Sequence, residues 1–314
     1  MTTIFDVAGT KPSNPFTPLI QQAFQVGATE STKLNEVAAQ IIEAVTTSSK
    51  PATALWSFWD AFFVSIATST TPAATTSDPF APHFALLNAL RAHPPTKPTN
   101  VAAASDDESQ LRNYTDKADG KLHWSSLPAF DWQWRDVHDI LEARRDWDGT
   151  RDDTTESERH DPAGYFLRFV NFSVALVRER HQHRDAGTLP VWVFFNCKNV
   201  LERATGPQPP QRKKHAVSPE QVWALDVRVT ATWVRGAGRV LWETDMEALR
   251  KHYAAALVQK TDLWPRTDGL TRERWELWGR RLRELGAEEG GLDGGTRAVV
   301  KEAAGVVEGL LQGK

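Results

Sequence analysis

The residues best placed to do chemistry are charged or amide side chains set inside apolar runs. Asp60 stands between Trp59 and Ala61 in the stretch TALWSFWDAFFVSIA at 53–67. Arg168 and Asn171 interrupt 165–177, and Asn196 and Cys197 follow Val193-Phe194-Phe195. Asp226 and Arg228 interrupt 222–234, and Arg235 and Arg239 come after that run. A buried polar group without a partner costs about 1–3 kcal/mol, and an unpaired charge more. Such groups must meet one another or meet a ligand. In one reading Asp60 and Asp226 pair with Arg168, Arg228 or Arg235 and fix helix register. In the other, some of them line a pocket and orient a bound molecule, with Trp56, Trp59 and Trp233 among its walls.

The remaining reactive types offer less. His252 and Tyr253 are an acid–base pair by type, but adjacent residues on a helix face different ways. Cys197, beside an apolar run, reads as an inert buried thiol. His181 and His183 at a polar helix end, and His160 in a charged loop, read as solvated rather than metal-binding. The sequence has no Walker loop, no strand leading into GxGxxG, no nucleophile elbow and no HExxH. Gly236 and Gly238 fall late in a helix and make no dinucleotide fingerprint. No cofactor and no metal is expected.

The elements that must position these residues read as helices. The 53–67 stretch is apolar nearly all round, which fits a central helix buried by others. Leu34, Val37, Ala38, Ile41, Ile42 and Val45 form a helical stripe over 32–45. Further helices are expected at 82–92, 131–147, 162–180 and 189–204; the last contains VWVFFN, whose β-forming residues leave strand as its alternative. Ser218-Pro219-Glu220-Gln221 has a cap, a proline at the first helical position and a glutamine three after the cap, opening a helix to about 241. Thr244-Asp245-Met246-Glu247 repeats the pattern. Thr271 caps 272–285, and the last helix covers 296–312. Residues 94–122 read as a long polar loop, 149–161 as a charged connection and 206–215 as a Pro-rich basic loop. The result is an all-α protein, a single compact domain of about ten helices at 31–314, preceded by an irregular arm at 1–30 that holds one short helix near 19–25.

Composition narrows the partners. The 314 residues are 40% hydrophobic and 25% charged, ordinary proportions for a globular protein. A net charge of −3 gives no field that would attract nucleic acid or an anionic membrane. Arg212-Lys213-Lys214 is then a solvated loop rather than a nucleic-acid patch. The 53–67 stretch is too short to span a bilayer, which takes about 20 apolar residues. One cysteine rules out an internal disulfide and fits a reducing compartment. No basic segment precedes an apolar one near Met1, so no signal peptide is expected. The cytosol, or else the nucleus, is the expected location. The unusual figure is 13 Trp, each with a large apolar body and an N–H that needs an acceptor when buried.

Three stretches resemble a family of all-helical fungal proteins, abundant in ascomycetes and known as a domain of unknown function. The first joins Leu55-Trp56, Trp59 and Phe62 with LLNALRAHP at 86–94 and with Trp124, Leu127 and Pro128. The second is VWALDVRVTATWVRGAGRVL at 222–241, and the third is RWELWGRRLREL at 274–285 with the Ala-rich helix after it. The resemblance implies a helical fold and a fungal source. It transfers no catalytic residue.

Two functions follow as expectations. One is binding of an apolar small molecule, such as a secondary metabolite, in an aromatic-lined cavity, extending to a cofactor-independent isomerase or cyclase. Its residues would be Trp56, Trp59, Asp60, Arg168, Asn171, Asn196, Asp226, Arg228, Trp233 and Arg235. The other is a helical interaction or scaffold protein with a protein partner and no chemistry.

Overall fold

The apolar stretch at 53–67 does fold as a buried helix, and its first turn is capped from elsewhere in the chain. The computed structural model describes residues 14–26, 31–69, 78–101, 105–146, 161–183, 190–204, 206, 217–267, 269–287 and 291–313. Among these there are twelve α-helices and no strand, so the fold is all-α as expected. They are α1 (Thr17–Val26), α2 (Ser31–Thr46), α3 (Pro51–Thr68), α4 (Ala81–Arg91), α5 (Asp106–Leu111), α6 (Phe130–Arg144), α7 (Pro162–Gln182), α8 (Val191–Asn196), α9 (Pro219–Glu243), α10 (Met246–Leu257), α11 (Arg272–Ala287) and α12 (Gly294–Leu311).

The differences from the sequence reading are local. The polar stretch at 94–122 is not a bare loop. It carries α5, six residues long and too short to show a periodicity, and an isolated antiparallel bridge between Thr96 and Leu122. The expected helix at 189–204 is α8 followed by a π-helical turn, Cys197–Leu201. Asp245 rather than Thr244 caps α10, and α12, capped by Asp293, begins two residues before the expected 296. The capping box on Ser218 and Gln221 forms as read, and Thr271 Oγ1 accepts from the Arg274 N–H at 3.4 Å. Arg212-Lys213-Lys214 and the charged residues 149–160 lie outside the described residues. No described helix is long and apolar enough to cross a membrane.

The helices gather into two compact units, one up to Ala143 and the other from Arg144 onward. In the first, α3 packs against α1, α2 and α5. Leu55, Phe58, Trp59, Phe62, Phe63, Ile66 and Ala67 are all fully buried along it. Lys50 gives α3 no side-chain cap, so its orphan N–H groups need another acceptor. Asp107 of α5 supplies it: Oδ2 accepts from Ala52 N at 3.1 Å, and Oδ1 from Thr53 N at 2.9 Å and Thr53 Oγ1 at 2.7 Å. Indole groups then fasten the connecting segments. Trp56 Nε1 donates to Tyr114 Oη at 2.8 Å, Trp59 Nε1 to the Pro128 carbonyl at 2.7 Å and Trp124 Nε1 to Thr96 Oγ1 at 2.8 Å. The turn that presents Pro128 has two residues in left-handed backbone, Leu127 at φ 51° and Ala129 at φ 63°. This conformation costs L-residues roughly 1–2 kcal/mol each, and burial of Leu127, Ala129 and Phe130 holds it in place.

In the second unit α9 is the central helix, packed against α7, α8 and α12, and α12 also packs on α11. Gly236 permits the approach of α7: a Cβ there would lie 2.1 Å from Val174 Cγ1. Trp275 and Trp278 of α11 meet edge to face at 4.9 Å, and Trp242 of α9 meets Trp275 at 5.4 Å.

Two predictions follow. His83, 4% exposed, sits among Phe24, Phe62 and Phe80, with Nε2 3.4 Å from Ser65 Oγ. Burial lowers its pKa from 6.5 to about 4. As pH falls below the ordinary histidine value, the unfolded chain takes up a proton that the folded chain refuses. Stability contributed by this group is complete above about pH 6.5 and falls by about 3 kcal/mol on the way down to about pH 4. Urea midpoints measured across that window should drop less in His83→Leu than in the parent chain. Second, Gly236→Ala should cost about 1–3 kcal/mol through overpacking, and Val174→Ala in the same chain should recover part of the loss in thermal melts.

Candidate functional site

The second unit concentrates its interior polar chemistry around the π-helical turn. This turn is a rare, wide segment that often marks functional positions. It directs Cys197, Lys198, Val200 and Leu201 inward, and Glu202 follows, fully buried. Glu202 faces Arg274 of α11, also 0% exposed. Arg274 Nε donates to Glu202 Oε1 at 2.7 Å and Nη2 to Oε2 at 2.9 Å, a bidentate pair. Trp278 Nε1 donates to Oε1 at 2.8 Å and Thr261 Oγ1 to Oε2 at 2.9 Å. Each carboxylate oxygen thus accepts two bonds. The other end of the guanidinium, Nη1, donates at 3.0 Å to the carbonyls of both Leu257 and Gly269. Its Cζ lies 5.0 Å from the Phe194 ring centre and 5.5 Å from that of Trp264. This closed arrangement leaves Glu202 no free lone pair for a substrate. Its role is to clamp α11, the end of α10 and the 257–269 segment around the π turn.

The open chemistry lies on α8, beside the clamp. Trp192, Phe195 and Asn196 are half-buried, whereas Val193, Phe194 and Cys197 are buried. The spacing of three and four puts the half-buried set on one face. Trp192 meets Trp233 of α9 with ring centres 6.1 Å apart, and Phe195 meets Tyr253 of α10 edge to face at 6.0 Å. Tyr253 has non-helical backbone, φ −133°, where α10 kinks. Trp233 is fully buried, and its indole N–H has no acceptor among the described residues. Lys198 stands one helical turn beyond, its ammonium donating to Gln259 Oε1. Cys197, also in the turn, is kept protonated: burial, reinforced by Glu202, pushes its thiol well above the ordinary range. The thiol is buried, as the sequence reading has it.

The residues named from sequence fall in both units and divide by role. Asn196 lies on the α8 face, where its Nδ2 donates back to the Trp192 carbonyl at 2.9 Å, and Trp233 of α9 packs against Trp192. Trp59 is a core residue and Trp56 is half-buried, and the N–H groups of both are spent in hydrogen bonds. Asp60 accepts from Gln133 Nε2. Asn171 Nδ2 bonds back to the Leu167 carbonyl at 2.9 Å within α7. The pairing expected for Asp226 is corrected: it takes Arg145, with Nε to Oδ1 at 2.6 Å and Nη2 to Oδ2 at 3.1 Å, rather than Arg168, Arg228 or Arg235. Arg235 is exposed and reaches Glu302 at 3.1 Å. Arg228 is half-buried and adds to the field that lowers the Asp293 pKa, although hydrogen bonds from Thr296 are the larger cause. Arg168 lies 3.8 Å from Asp161 and 5.3 Å from the Tyr165 ring centre. Glu202, Arg274, Lys198 and Gln259 are not singled out by the sequence reading, and Tyr253 figures there only beside His252. Arg274 alone carried a readable signal, a charge four residues before Trp278 on an aromatic helix face.

Breaking the clamp from one side should cost more than removing it. Arg274→Met or Glu202→Leu alone should each lose about 3–5 kcal/mol, because each leaves a buried charge unpaired. The double variant should lose less than the two single losses combined, a coupling that chemical denaturation of all four chains measures.

No curated protein and no solved structure matches the chain. The family described as "Protein of unknown function (DUF3632)" matches residues 61–282, more than half of the sequence, and the chain belongs to that family.

Proposed function

We propose that the α8 face binds an apolar, ring-bearing small molecule. Trp192 and Phe195 provide stacking surfaces, and the Trp233 indole supplies one directed hydrogen bond. The observation that carries this reading is the Trp233 N–H, fully buried and without an acceptor among the described residues. A native interior satisfies nearly all such donors. A ligand oxygen would complete this one, and half-buried aromatic rings beside it suit the rest of the molecule. The reading stops at binding, since the buried carboxylate nearest the face is fully occupied.

The test is native mass spectrometry of the protein isolated from its own host, with Trp emission recorded before and after organic extraction. A co-purified small molecule, with an emission shift on its removal, is the expected result. Trp233→Phe, which keeps a ring and loses the donor, should weaken retention about tenfold, the worth of one hydrogen bond. A bare mass with unchanged emission overturns the proposal. The interaction-protein reading would then stand on Trp132, which is 67% exposed on α6. Capture of a partner by the parent chain but not by Trp132→Ser would support it.

A further inference from the structure

Lys198 presents an anomaly that the clamp does not resolve. It is 6% exposed, yet its ammonium makes no ion pair among the described residues. The nearest buried carboxylate, Glu202, has both oxygens doubly bonded by Arg274, Trp278 and Thr261. What covers the ammonium is the amide oxygen of Gln259, an exposed residue just past the end of α10. The ring of Phe195 lies 6.0 Å away. Burial pulls the lysine pKa down; Glu202 opposes this, and Arg274 and Arg203 add to the fall. A buried cation is ordinarily matched by a counter-charge. Here the matching position is held by a neutral side chain on the surface, shaped like a carboxylate with one oxygen replaced by nitrogen.

We propose that Lys198 is the anion-recognition residue of the α8 face, and that its ligand carries a carboxylate which displaces the Gln259 amide while its rings lie on Phe195 and Tyr253. The inference rests on the binding reading above and specifies the ligand class: an amphipathic aromatic acid. Gln259 acts as a stand-in that shields the ammonium when the face is empty. It can swing away because its own side chain is solvent-exposed. Tyr253, at the kink of α10, meets Phe195 edge to face, so the ring beside the ammonium is one of an aromatic pair.

The test compares 2-naphthoate with its neutral isostere 2-naphthamide by titration calorimetry on the full chain. The parent should bind the acid at least about tenfold more tightly than the amide, because a charge-assisted contact replaces a neutral one. Lys198→Met should bind both equally, at the amide's affinity. Equal binding of the two probes by the parent overturns the lysine inference and leaves the aromatic face intact. No binding of either probe overturns both readings. A melting temperature well below the parent's in Lys198→Met also overturns the inference, since it would show the lysine to be part of the scaffold. Replacing a cation that lacks a counter-charge by an apolar isostere should leave the melting temperature equal or higher.

Discussion

The second unit depends on how one buried carboxylate is satisfied. Glu202 and Arg274 are both withdrawn from water, and attraction between two such charges repays the loss of hydration only when the remaining hydrogen-bonding capacity is also met. The chain meets it from five directions: α11 gives the guanidinium and an indole, the segment after α10 gives a hydroxyl, and two carbonyls close the far side. Because the carboxylate is saturated, its neighbours must find other solutions. Lys198 takes an amide in place of a counter-ion, while burial, with the charge of Glu202 added, keeps Cys197 a thiol. The polarity of the α8 face is therefore set by a group that takes no part in it.

The first unit solves a related problem with no buried charge pair at its centre among the described residues. Three of its tryptophans, Trp56, Trp59 and Trp124, act as fasteners whose N–H groups are delivered to connecting segments. Trp59 contacts Phe58, Phe62 and Phe130 and also ties down the Pro128 carbonyl. The strained backbone at Leu127 and Ala129 persists because that bond and the surrounding burial specify it together. A high Trp content thus serves two ends here, apolar volume and loop placement, and among the described residues the buried indoles of Trp233 and Trp264 are left without an acceptor.

Helices were legible because their signals are local. The stripe on α2, the prolines opening α3, α7 and α9, and the Ser218 box lie within one or two turns, and the structure reproduces them closely. The site was not legible, because its bonds span the chain. Glu202 and Arg274 are 72 residues apart, and Arg145 and Asp226 are 81 apart. Interior charges at Asp60 and Asp226 were visible as anomalies, but their partners were not, since many side chains of suitable type compete and no periodicity links them. Lys198 escaped for another reason: a lysine following an asparagine and a cysteine looks like a helix end, and only the π turn carries it inward.

Asp107 has a consequence for how the chain acquires its structure. The aspartate that completes the first turn of α3 arrives from a position 55 residues later. The most apolar helix of the unit therefore remains frayed at its leading end until a long loop has closed. Loop closure costs entropy before any contact repays it, and non-local pairings of this kind slow folding. During synthesis α3 emerges well before its cap. For that interval its aromatic surface is exposed and must be sheltered by transient collapse with α1 and α2, which makes the order of translation part of what protects this unit from aggregation.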